Sequence, residues 1–234
     1  MRTASLLAAT AAAALAAPAF AQFQLTADYD FYWYFGNPGS GNVGDQYLII
    51  NDASTTPGGV DDGQGGILPY ELFRAVAVIS FDLAPLSGPQ DRVILNLEKY
   101  NASAGPGLTG PTDADPMILE AYAATTDIRG ISYANLDAAI GGFVANAVIG
   151  DDGIYGLDVT DYVNGLIAEG ATTAQFFLEG RNPRFDEPDA NPHNAYFGGV
   201  GAVGYLAPTL ADRVIPAPGG LALAAGAGLL AARR

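Results

Sequence analysis

Glycine and proline cut this chain into short pieces. Thirty glycines and 15 prolines are spread through 234 residues, and the runs between them are rich in Val, Ile, Phe and Tyr. Long helices do not survive such breaks, whereas a strand needs only a handful of residues between turns. Many short strands joined by turns is the pattern of an all-β sandwich or barrel. Candidate strands fall at 25–35, 46–51, 73–82, 92–101, 117–124, 154–159, 173–180, 194–199 and 205–210.

The clearest strand is "FRAVAVISFDL". Side chains alternate across a strand, so Phe73, Ala75, Ala77, Ile79 and Phe81 share one face. Val76 and Val78 make the second face partly apolar, which predicts a central strand. "RVILNLEKY" follows, with Val93, Leu95 and Leu97 on one face. Two short helices are predicted. "DVTDYVNGLIAEG" offers Thr160 as N-cap, Val163, Leu166 and Ile167 at helical spacing, and Gly170 as terminator. "SYANLDAAIGG" places Leu136 and Ile140 four apart. Neither exceeds about three turns. The fold class expected is all-β: a two-sheet antiparallel β-sandwich, jelly-roll-like, with one or two short helices.

Both ends of the chain read differently from its body. Arg2, the apolar run Leu6 to Ala17 and the small-x-small site Ala19-Phe20-Ala21 together make residues 1–21 a secretory signal peptide. Residues 22–213 form the sandwich domain. Residues 214–234 are a C-terminal sorting or membrane segment. From Val214 to Ala232 they are apolar or small, interrupted by Pro216 and Pro218, and Arg233 and Arg234 close the chain. A full crossing takes about 20 apolar residues, so this is a marginal span. The terminal arginines would stay in the cytoplasm.

The body carries seven basic residues against all 25 acidic ones, a net charge of −18. Such a surface repels nucleic acid and anionic lipid. The chain has no cysteine, which excludes thiolate metal sites, cysteine catalysis and disulfides. No cofactor is required by the sequence, and a structural Ca²⁺ is the one ion its loops suggest.

Several constellations carry chemistry. In "ADYDFYWYFG", Tyr29, Phe31, Trp33 and Phe35 alternate with Asp28, Asp30, Tyr32 and Tyr34. Either the second set forms a sugar-stacking platform, with Tyr32 and Tyr34 as stacking rings and Asp30 as hydroxyl acceptor, or both sets pack. In "NDASTTPGGVDDGQGG", Asp52, Asp61 and Asp62 are candidate Ca²⁺ ligands, since Ca²⁺ collects six to eight oxygens. Asp151, Asp152, Asp158 and Asp161 are further candidates. His193, the only histidine, lies in "EPDANPHNAYF" and is expected to face solvent. No Gly-x-Ser-x-Gly elbow accompanies it, so a serine triad has no support. A carboxylate pair for glycoside hydrolysis cannot be read from sequence, because the separation that defines it is spatial. Arg181 and Arg184 either meet an acidic polysaccharide or neutralise Asp186, Glu187 and Asp189.

"RAVAVISFDLAPLSG", "RVILNLEKYNA" and "GLDVTDYVNGLIAEGATTAQFFLEG" together resemble the DNRLRE-type domains over residues 25–210. That resemblance implies a secreted bacterial β-sandwich similar to carbohydrate-binding jelly rolls. The tail "IPAPGGLALAAGAGLLAARR" resembles a PEP-CTERM sorting signal, with Pro216-Ala217-Pro218 as the proline motif and Arg233 and Arg234 as the basic end. It implies an exosortase-type processing enzyme as partner, a transient stage in the inner membrane and delivery to the surface or matrix of a Gram-negative bacterium. The function expected is therefore a non-enzymatic surface or matrix protein associated with exopolysaccharide. The alternatives are a carbohydrate-binding module with a defined glycan site and a secreted polysaccharide hydrolase.

Overall fold

The computed structural model describes residues 23–34, 46–61, 63–100, 109–187 and 190–216. Thirteen strands lie among them: β1 (Gln24–Thr26), β2 (Tyr29–Tyr34), β3 (Tyr47–Asn51), β4 (Gly59–Asp61), β5 (Ile67–Pro69), β6 (Ala75–Asp82), β7 (Ile94–Tyr100), β8 (Met117–Ala124), β9 (Ile140–Ile149), β10 (Gly153–Asp158), β11 (Thr173–Arg181), β12 (Asn194–Gly198) and β13 (Thr209–Ala211). Two short helices, α1 (Leu136–Ala139) and α2 (Thr160–Ala168), accompany them.

The strands form two antiparallel sheets packed as a sandwich. One has the order β1-β13-β7-β12-β3, with β10 also on β7. The register makes β7 its hub: β10 pairs along residues 94–99, while β13 and β12 pair at opposite ends of the other edge. The second sheet has the order β2-β6-β11-β8-β9. Most connections cross from one sheet to the other, as in a jelly roll. A small β4–β5 ribbon stands apart.

Alternation fills the space between the sheets. Leu48 and Ile50, Leu95 and Leu97, and Ala195 and Phe197 enter from the first sheet. Ala77, Ile79 and Phe81, Leu119, Phe176 and Leu178 enter from the second, and Val163 of α2 plugs one end. Residues 75–81 of β6 are all buried. The second face of β6 is covered too: Val76 and Val78 join Trp33 and Phe177 beneath Ile128, Leu136 and Ala139. The central position expected for β6 thus has two causes, a neighbour strand on each edge and a packed layer on each face.

The helices depart in detail from expectation. α2 begins at Thr160, but Val159 occupies the cap position with no side-chain bond. Thr160 Oγ1 instead accepts the Val93 N–H at 2.9 Å and donates to Asp158, joining the helix to the start of β7. Gly170, at φ +76°, ends it, a conformation that costs other residues a steric penalty. The second predicted helix is only four residues. Ile140 starts β9 instead, a ten-residue strand paired with β8 and not expected from the sequence. Its Gly141-Gly142 start mimics a helix terminator, and pairing with β8 overrides that local signal.

The C-terminal side of the domain is clasped. Asn96 on β7 donates to the Arg213 carbonyl at 3.1 Å, and its Oδ1 accepts the Ile215 N–H at 3.0 Å. β1 pairs with β13, so Gln24 lies opposite Ala211.

Candidate ligand-binding surface

One face of the first sheet carries a row of tyrosines. Because Leu48, Ile50, Ala195, Phe197, Leu95 and Leu97 point into the core, alternation places Tyr47, Tyr196 and Tyr100 on the opposite face. The β12–β7 register sets Tyr196 against Tyr100, and the β12–β3 register sets Gly198 against Tyr47. Ring centroids are 5.6 Å apart for Tyr47 and Tyr196, and 6.3 Å for Tyr196 and Tyr100. Tyr205, on the loop between β12 and β13, then stacks on Tyr100 at 4.1 Å with 17° between planes. Two features hold that loop down. The Leu206 N–H donates to Glu98, and Gly198 lets the Leu206 carbonyl come to 2.4 Å from where a Cβ would stand.

The two ends of the row are the most open, with Tyr47 37% and Tyr205 43% exposed. Burial, together with the neighbouring Tyr205, Tyr47 and Tyr196, pushes the Tyr100 hydroxyl up to about 12. Its phenol is therefore neutral at physiological pH. Neutral phenol rings with open edges offer apolar faces and hydroxyl donors together, which is what a sugar ring needs from a protein.

Of the two readings open for β2, a stacking platform or packing of both sets, the structure shows packing. Tyr32 is 2% exposed and belongs to the main core, so its ring has no free face for a sugar. Its contact with Tyr47, at 5.9 Å, ties the row to that core. Tyr34 is half-buried against the same cluster, and burial, then Tyr196, pushes its hydroxyl up to about 12. Asp30 is fully buried, and its Oδ2 accepts the Val200 N–H at 2.7 Å. The physical reason is register: Tyr32 opposes Ala77 and Tyr34 opposes Ala75, both inward-facing. Small residues on β6 leave room for large rings on β2. Trp33 points the other way and is buried in the second core.

The solvent-facing position expected for His193 is also corrected, because its side chain is 0% exposed. Asp52 takes it up completely: the His193 backbone N–H donates to Oδ1 at 2.5 Å and Nδ1 donates to Oδ2 at 2.7 Å. Nε2 lies 3.3 Å from Asp115 Oδ2, close enough for an ion pair but too poorly aligned for a hydrogen bond. Arg184 in turn pairs with Asp115. Burial opposes a charged imidazole, but Asp52 and Asp115 outweigh it and hold His193 above its ordinary value. The chain of alternating charges pins three loops together.

Asp52 thus spends both carboxylate oxygens on His193, while Asp61 is exposed and accepts the Gly63 N–H at 2.8 Å. Asp62 lies outside the described residues. Among the described residues no group of three or more His, Asp or Glu is arranged to hold a metal ion. A cavity of about 410 Å³ beside α2 is lined by Asp91, Asp158 and Asp161 with Arg92, and Asp158 is engaged by Thr160. Arg184 and Arg181 find other acids than the sequence suggested: Asp115 for the first and Glu120, at 2.9 Å, for the second.

Glu120 and Glu179 sit directly opposite each other across β8 and β11. Cross-strand like charges repel. Arg181 and the Tyr122 hydroxyl bind Glu120, and Arg74 binds Glu179, so the pair is neutralised as an ion lattice. Burial still holds Glu179 above its ordinary value, against the pull of Arg74. Of the residues read as a sorting motif from the sequence, Pro216 is described and exposed. Ala217, Pro218, Arg233 and Arg234 lie outside the described residues, as does the segment 1–21. No helix among the described residues is long and apolar enough to cross a membrane.

No family model matches the chain, and no curated protein sequence matches it.

Proposed function

We propose that this is an exported, non-enzymatic protein of the cell surface or extracellular matrix that holds exopolysaccharide through its tyrosine row. The observation that carries the reading is the row itself, Tyr47–Tyr196–Tyr100–Tyr205, open at both ends on one face of a sandwich. The leader-like and PEP-CTERM-like segments support export and sorting by an exosortase-type enzyme. The charge of −18 on residues 22–213 disfavours anionic glycans, so the chain held is a neutral one.

The test is co-sedimentation with a panel of neutral and acidic polysaccharides. Removing both open rings, Tyr47→Ala with Tyr205→Ala, should weaken retention of a neutral chain about tenfold, from stacking worth roughly 0.5–1.5 kcal/mol per ring. Absence of binding to every polysaccharide in the panel sinks the reading. Sorting is tested separately by mass spectrometry of the extracellular protein, where an intact Arg234 would contradict processing.

A further inference from the structure

We propose that Tyr100 and Tyr205 are an oxidative cross-linking site, forming an intramolecular dityrosine that staples the β12–β13 loop to β7. Among the described ring pairs, this one is set apart. Its rings lie nearly parallel, 17° apart, with centroids at 4.1 Å. Every other tyrosine pair in the row is at 5.6 Å or more and tilted by at least 37°. Two phenoxyl radicals couple through the carbons ortho to oxygen. The stacked rings of this pair already lie side by side, which shortens the approach that coupling needs.

Access and competition favour the same pair. Tyr205 is open to solvent, and Tyr47 is open at the other end of the row. The intervening rings at 5.6 and 6.3 Å give a hole made at Tyr47 a short path to Tyr100. The chain has no thiol to intercept it. Trp33 and Met117 are both buried, so exposed tyrosines are the reachable electron donors.

The step balances with a peroxide-driven one-electron oxidant, such as a haem peroxidase. Each phenol gives up one electron and one proton. The two radicals join by one carbon–carbon bond. Each ring then moves its ortho hydrogen to oxygen and regains aromaticity. The net loss is two hydrogens, which reduce hydrogen peroxide to two waters. Glu98 and Gly198 hold the loop over β7, so the two rings stay together while the bond forms.

The experiment treats the purified mature protein with peroxidase and hydrogen peroxide, and follows dityrosine fluorescence and peptide mass in the monomer fraction. The expected product is one cross-linked peptide joining Tyr100 to Tyr205, two hydrogens lighter than the sum of its parts. Tyr205→Phe and Tyr100→Phe, which keep the ring and the packing, should each abolish it. Tyr47→Phe should retain it. Wild-type yield in Tyr205→Phe, cross-links confined to dimers, or no dityrosine at all would each overturn the proposal. Polysaccharide binding is not read in this assay, so its outcome is separate from that of the proposed function.

Discussion

His193 shows how one residue can hold three loops. Its charge is shared between Asp52 and Asp115, and the pair is out of contact with water on the Asp52 side. A histidine whose folded value is raised contributes stability that is fully present below its unfolded value, near 6.5, and is lost as pH rises through the folded value. The melting temperature should therefore fall on the alkaline side of about pH 6.5, and scanning calorimetry across pH should record it. In His193→Gln that alkaline fall should disappear. The variant should also be less stable at pH 6 by roughly 3–5 kcal/mol, because Asp52 is left buried without its partner. A second residue-scale prediction concerns Gly198. Alanine there meets the Leu206 carbonyl at 2.4 Å, so Gly198→Ala must lift the loop that carries Tyr205. Its readout is a rise in Tyr205 iodination, together with weaker polysaccharide retention. Neither position was legible in the sequence. A histidine between Pro192 and Asn194 reads as a loop residue, and its burial depends on Asp52, 141 residues away.

At the scale of elements, legibility followed locality. β6, β7, β8, β11 and β12 stand where alternation and turn residues put them, because each is apolar on at least one face. β9 suits a strand in composition, with Phe143, Val144, Val148 and Ile149, but the Leu136–Ile140 spacing and Gly141-Gly142 before it read as a helix and its terminator. The tyrosine row illustrates the same limit. Tyr47, Tyr100, Tyr196 and Tyr205 are scattered over almost the whole domain, and only the β7–β12–β3 register collects them. The dense "YDFYWY" run is the more conspicuous aromatic signal, yet it forms a strand with no exposed residue on either face. The second core under 128–140 makes a testable claim. Trp33→Ala should cost about 3–5 kcal/mol in denaturant melts, as for a large buried aromatic. Leu136→Ala should cost about 2–5 kcal/mol, although α1 is only one turn long. A loss under about 1 kcal/mol for both would mean that this layer is not a packed core.

For the molecule as a whole, charge is the dominant feature. Within residues 22–213, 25 acidic residues stand against seven basic ones, and the domain must fold against its own repulsion. Salt shortens the reach of that repulsion to about 10 Å at 0.1 M. The melting temperature should accordingly rise with sodium chloride, even though the exposed ion pairs weaken; a fall would mean that those pairs outweigh the net field. The clasp at Asn96 has a mechanical meaning. The chain enters beside β13 and leaves across β7, so both ends depart from neighbouring strands of one sheet. Tension applied beyond Pro216 reaches Asn96 first and passes into the strand with three neighbours. The load is thus spread along several ladders at once rather than unpicking an edge, and a tether attached there would pull on the most securely braced strand of the fold.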